Sequence, residues 1–238
     1  MKRGFTLVEL LVVVAIIMLL LAILAPSMRG VLDLLDLTRC ANNMRQIGQA
    51  TMAYAGMHDR RFPGPNWRKA NAKGWLYRNL QMDLPQHLEG GQLWPYLKDY
   101  RIYRCPADET DPATVPERPN NSRAITSYCA NGSICSYGRR AYDGGTGYWD
   151  TWRYTDFLDP SRDIIMWEPD ETKAGGWWWD GSNYPWEGIT HRHIDRGMAV
   201  CVDGHAEWLT LDDYYRLGAG NAPGPNRLWN VPGSPNGR

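Results

Sequence analysis

Residues 7–25 form an almost unbroken aliphatic run in which Glu9 is the lone charge. At about 1.5 Å per residue, a helix over this run is roughly 28 Å long, enough to span a bilayer's hydrocarbon core. Lys2 and Arg3 precede it, a bias that keeps the N-terminus cytoplasmic and sends the remainder outward. Across residues 27–58 the pattern becomes amphipathic. Leu37, Cys40, Ala41, Met44, Ile47, Gly48, Thr51, Tyr54 and Ala55 recur at three- and four-residue steps, and Arg39, Asn42, Asn43, Arg45, Gln46 and Gln49 fill the opposite face. This half is expected to leave the membrane and lay its apolar stripe against a sheet. Pro26 lies at the junction, where it either kinks the helix or ends the span. The helix is expected to stop at Arg60-Arg61-Phe62-Pro63-Gly64-Pro65.

Beyond residue 60 no long helical period is present. Residues 93–97 read as a short helix or turn, 101–105 as a short strand ended by Pro106, 106–123 as a polar loop, and 125–130 and 163–168 as strands. Residues 136–153 have no readable period. Residues 197–202 and 205–209 are two strands, with Asp203-Gly204 as the hairpin turn between them. Residues 221–238 are rich in Gly, Pro and Asn and are expected to be an irregular surface tail. There is no fixed-period repeat and no sign of a second domain.

The chain has 238 residues, with 26 basic and 26 acidic side chains, so its formal net charge is zero. That balance offers neither a basic footprint for nucleic acid nor an acidic solvating arm. Twelve Trp against three Phe point to a loop-rich body packed with large amphipathic rings. The cysteines are Cys40, Cys105, Cys129, Cys135 and Cys201. Export would permit disulfides. Cys129 with Cys135 would close a small loop, and Cys40 with Cys105 would tie the first helix to the body. Spacing leaves the connectivity open.

Three readings fit the N-terminal segment. A cleaved signal peptide suits the basic start, but the apolar run is long and a small-x-small site near Leu24-Ala25-Pro26 is poor. A plain signal anchor explains everything but Glu9, since an acid in an apolar helix costs a few kcal/mol without a partner. Thr6-Leu7-Val8-Glu9 does match a capping box, which would supply a partner locally. In the third reading, Gly4-Phe5-Thr6-Leu7-Val8-Glu9 resembles the processing site of type IV prepilins. The resemblance implies cleavage after Gly4 by a prepilin peptidase and N-methylation of Phe5. Glu9 would then neutralise the new amine, in its own chain or in a neighbouring subunit. A buried carboxylate beside a buried ammonium is tolerable where either alone is not. Pilin-like helices often carry a proline where Pro26 stands.

His193 precedes Asp203-Gly204 by nine residues, and this segment resembles the H-x9-DG segment of a large family of prepilin-type proteins. Residues 39–48 (RCANNMRQIG), Cys105-Pro106-Ala107-Asp108, residues 127–132 (SYCANG) and Val202-Asp203-Gly204-His205 resemble the same family. Family members usually have a small residue where Cys129 stands. The implied fold is α+β and pilin-like: a long N-terminal helix packed on a small antiparallel sheet with long loops. The implied organisation is a leader at 1–4, a transmembrane half-helix at 5–26 and an amphipathic half at 27–58. A body at 59–220 and the tail complete it.

His191, His193, Asp203 and His205 have the residue types of a metal site, with Cys201 adjacent. Turn chemistry already accounts for Asp203-Gly204 and no general base accompanies the set, so neither a bound metal nor a metal hydrolase is expected. Trp177-Trp178-Trp179 followed by Asp180-Gly181-Ser182-Asn183 is the best ligand candidate, since three successive indoles cannot all face inward on a strand. Such rings suit sugar faces. Asp170-Glu171 and residues 180–183 could bind calcium, although they lack EF-hand spacing. No serine elbow, phosphate loop or zinc ribbon is present. The expected function is therefore non-enzymatic: a structural subunit of a type IV pilus or a type II secretion pseudopilus. Its expected partners are the peptidase, other pilin-like subunits and membrane lipid. It would be anchored in the inner membrane with its body periplasmic or extracellular. The alternative is an exported surface module that binds carbohydrate through the Trp-rich loop.

Overall fold

The computed structural model of the chain describes residues 6–66, 73–78, 84–108, 125–138, 142–143, 148–170 and 181–238. Within the first helix it does not describe the side chains of 24–30 and 32. The chain divides into two units, Met1–Thr38 and Arg39–Arg238.

In the first unit, helix α1 (Leu7–Met57) begins. Its start is set by a capping box. The Thr6 amide donates to Glu9 Oε2 at 2.8 Å, and the Glu9 amide donates to Thr6 Oγ1 at 3.3 Å. Residues 7–23 then expose aliphatic side chains on every face, among them Leu7, Leu11, Ile16, Leu20 and Ile23. Among the described residues no helix is long and apolar enough to cross a membrane. The side chains of residues 24 and 25, the end of the expected span, lie outside the described set. Pro26 lies inside α1, with its side chain outside the described set.

In the second unit, the remainder of α1 buries Cys40, Ala41, Met44, Ile47, Gly48, Thr51, Tyr54 and Ala55, the stripe read from the sequence; Leu37, which belongs to the first unit, is only half-buried. The sheet has the order β5-β1-β4-β6-β7. Its strands are β1 (Cys129–Asn131), β4 (Ile164–Trp167), β5 (Ser182–Asn183), β6 (Arg196–Cys201) and β7 (Ala206–Thr210). All neighbours are antiparallel except β1 and β5. Strands β2 (Tyr142–Asp143) and β3 (Tyr148–Trp149) form a separate two-stranded ribbon. This is the α+β, pilin-like architecture implied by the sequence: a long N-terminal helix with a five-stranded, mostly antiparallel sheet.

Several local expectations change. Residues 101–105 are not a strand: a 3-10 turn covers Tyr100–Tyr103, begun by Asp99, whose carboxylate accepts from the Arg101 amide at 2.9 Å. Helix α2 (Trp94–Leu97) confirms the short helix at 93–97. Helix α3 (Leu211–Gly218) was not anticipated. Its signal was Thr210, whose hydroxyl accepts from the Asp213 amide at 3.2 Å, a cap visible as Thr-x-x-Asp. Residues 221–238 are irregular as expected, but they are not a surface tail. Leu228 and Trp229 are fully buried, and Asn131 Nδ2 donates to Leu228 O at 2.8 Å and Ile164 O at 2.9 Å. Those amide bonds fasten an otherwise structureless segment to the sheet.

All five cysteines are buried and none is in a disulfide, so neither candidate pairing is bonded. The Cys129 thiol points at Trp167 O at 3.5 Å and that of Cys135 at Gly132 O at 3.4 Å. The abundance of Trp serves the core: Trp75, Trp167 and Trp229 are among the largest fully buried side chains.

Candidate functional site

The β6–β7 hairpin carries the Asp203-Gly204 pair. The Gly204 amide donates to Cys201 O and the Cys201 amide to His205 O, both at 2.9 Å, so Val202, Asp203 and Gly204 form a three-residue loop. Gly204 closes it at φ 87°, the left-handed region that glycine enters without a Cβ clash. The Val202 and Asp203 amides donate to Asp163 O and Pro160 O, seating the turn beside the entry to β4. The Asp203 carboxylate is spent locally, on the His205 amide at 3.1 Å and on His205 Nδ1 at 2.6 Å.

His193 does not meet Asp203. It sits in a tight turn before β6, followed by Ile194 and Asp195 with φ of 56° and 55°. That turn sends the ring inward, where only 3% of the residue is exposed and Trp208 meets it edge-on at 5.4 Å. His193 Nε2 lies 3.2 Å from Glu168 Oε1 and 3.3 Å from Cys105 Sγ. Cys40 from α1 completes the group, its thiol donating to Glu168 Oε1 at 3.0 Å. The four ligand-type atoms of Cys40, Cys105, Glu168 and His193 all lie within 4.8 Å of one another, and all four residues are buried.

Each member is held by its own element. Cys40 is on the buried stripe of α1. Cys105 follows the turn at Tyr100–Tyr103, which Asn43 of α1 grips by donating to Arg101 O at 3.2 Å and Arg104 O at 2.9 Å. The Cys105 amide donates to Ser127 Oγ at 3.0 Å. Glu168 follows β4; its amide donates to Met198 O at 3.1 Å, and its Oε2 accepts from the Met198 amide at 2.8 Å. Arg192 lines the group, 3.4 Å from Glu168 and 3.1 Å from Asp108.

The electrostatics follow from these contacts. Burial pushes the Cys40 thiol well up, reinforced by hydrogen bonding with Cys105. The same Cys40 hydrogen bond pulls the Cys105 thiol down to about 7 against the cost of burial, with His193 helping. Burial alone would depress His193, but Cys105 and Glu168 together raise it to about 9. Burial likewise works against the Glu168 carboxylate, and the bonds from His193 and Arg192 overcome it, holding it below its ordinary value.

The group of His191, His193, Asp203 and His205 is not assembled. His191 is exposed and lies 3.6 Å from Asp195, and it precedes the turn at 192–194 rather than lying on a strand. Cys201, His205 and Glu207 do form a second, partly exposed cluster, but Glu207 is ion-paired with Arg227 and His205 is hydrogen-bonded to Asp203. Trp177, Trp178, Trp179, Asp180 and Glu171 lie outside the described residues, as do Gly4 and Phe5. Of the proposed calcium positions, Ser182 and Asn183 are buried in β5. A cleft of about 560 Å³ between the α3 end and residues 225–234 shares no residue with the cysteine cluster. Sequence reading found His193 but missed Glu168, which was legible only as the polar end of an apolar strand.

Residues 1–25 match the prokaryotic N-terminal methylation motif. With that motif heading α1, the chain is type IV prepilin-like, and the motif implies processing by a prepilin peptidase, export and inner-membrane anchoring. Neither a curated protein nor a solved structure matches this chain.

Proposed function

We propose that this protein is a structural subunit of a pilus or pseudopilus-like assembly. It is cut after Gly4, methylated at Phe5 and held in the inner membrane by the head of α1. The N-terminus is cytoplasmic, the body faces the periplasm or exterior, and neighbouring subunits pack through α1 around Glu9 and Pro26. One observation carries this reading: a methylation motif at residues 1–25 leads directly into a helix with aliphatic side chains exposed on every face of residues 7–23. A helix that is apolar all round is at rest only among lipid tails or other such helices. A non-enzymatic role agrees with the usual character of pilin-like proteins.

Mass spectrometry of protein extracted from its native membrane tests the reading. The mature chain should begin at a methylated Phe5, and replacing Gly4 by a bulky residue should leave the full-length mass. A wild-type chain that retains Met1, or that begins beyond residue 25, would overturn it.

A further inference from the structure

We propose that Cys40, Cys105, Glu168 and His193 form a closed structural site for a divalent, borderline-soft cation, zinc above all. Two thiolates, one imidazole and one carboxylate are a donor set that such a cation selects over magnesium or calcium. In a tetrahedral zinc shell the ligand-to-ligand edges are about 3.4–3.8 Å. Here the edges are 3.0 Å from Cys40 Sγ to Glu168 Oε1, 3.2 Å from Glu168 Oε1 to His193 Nε2, and 3.3 Å from His193 Nε2 to Cys105 Sγ. Small outward movements of four side chains would open a cation-sized centre. One ring nitrogen, His193 Nε2, faces both Glu168 and Cys105; a central cation serves all four groups together.

The surroundings are those of a finished shell. Glu168 presents Oε1 to the cluster and anchors Oε2 on the Met198 amide. The Tyr128 hydroxyl lies 3.6 Å from Cys40 Sγ. Partners of this kind orient the donor atoms and tune their basicity. Charge is also matched. A dication with two thiolates and Glu168 leaves one negative charge, and Arg192 lies beside it, while Arg104 stands 3.7 Å from Asp108. Binding releases the thiol protons and the second proton of His193 to solvent. All four ligands are buried, so there is no open position for a substrate. The ion would therefore clamp α1, the segment after the Tyr100–Tyr103 turn, the end of β4 and the turn before β6. That gives the histidine of H-x9-DG a task independent of the turn nine residues later.

The test is metal analysis of the full chain, purified in detergent from its native membrane. About one zinc per chain is expected. Cobalt replacement should give thiolate-to-cobalt charge-transfer absorption and the intense visible bands of a tetrahedral site. Cys40→Ser, Cys105→Ser and His193→Gln should each remove that signature, and Cys201→Ser should keep it. If the first three variants do not fold, the wild-type zinc content and cobalt spectrum still decide. A folded, reduced wild type without zinc and without the cobalt signature overturns the proposal. So does native protein two hydrogens short in mass with a Cys40–Cys105 cross-linked peptide, which would make the pair a disulfide.

Discussion

Gly48 of α1 and Gly204 of the β6–β7 turn meet backbone to backbone. A Cβ added at Gly48 would run into the carbonyl oxygen of Gly204 and lie 3.1 Å from Val200 Cγ1. A Cβ at Gly204 would lie 2.6 Å from Met52 Cγ, at a φ that side chains rarely adopt. Gly204 thus does two things: it closes the hairpin, and it lets the helix ride directly on the turn. Gly48→Ala should cost about 1–3 kcal/mol, because the obstacle is a carbonyl rather than a yielding side chain. Denaturant midpoints of wild type and variant would check it, and equal midpoints would remove the contact from the account.

One substitution separates the capping bonds that Glu9 makes with Thr6 from the neutralising role proposed for it. Gln at this position still completes a capping box with Thr6 but cannot neutralise an ammonium. Glu9→Gln should therefore keep export and trimming while losing cross-links between neighbouring N-terminal helices. If Glu9→Gln assembles like wild type, capping is the whole function of this acid.

Asp163 supplies a pH dependence. Burial raises its carboxyl from 3.8 to about 6, against the Asp159 amide that its Oδ2 accepts at 3.1 Å. Between those values the folded chain holds a proton that the unfolded chain has lost, so this group's contribution falls as pH rises from about 4 to about 6. Asp163→Asn removes the titration and preserves an acceptor. Relative to wild type, the variant should gain roughly 2–3 kcal/mol across that window. Unfolding curves at pH 4 and pH 7 measure it; a pH-independent difference between the two proteins contradicts the assignment.

Asn131 is buried and fully engaged. Besides its two donated bonds, its Oδ1 accepts from the Ser133 amide at 3.0 Å and from the Tyr137 hydroxyl at 3.2 Å. Asn131→Ala takes the acceptor from the buried Ser133 amide and one donor from each of two carbonyls, Ile164 O and Leu228 O, which keep Asn230 Nδ2 at 3.0 Å and the Tyr137 hydroxyl at 3.5 Å; it should cost roughly 1–3 kcal/mol. Deleting residues 221–238 should be worse, because it also strips Leu228 and Trp229 from the core. Soluble, protease-resistant protein lacking 221–238 would show that the segment is dispensable.

The sequence by itself determined the head of the molecule, the capping box and the buried face of α1, because each is a local pattern. A lone acid three residues after a threonine, or apolar residues at helical steps, carry their meaning within one or two turns. It also located β4 and the terminal hairpin through short apolar strands around Asp203-Gly204. Tertiary structure alone decided what the chemistry-bearing residues touch. Cys40 was legible as a buried position and as a candidate partner of Cys105, with which it shares the cluster, but nothing local shows that it meets Glu168 across 128 positions of chain or that His193 meets Cys105 across 88. Periodicity states which face of an element is buried. Strand order and turn geometry state against which partner, and a residue at the end of an apolar strand gives no sign of that in advance.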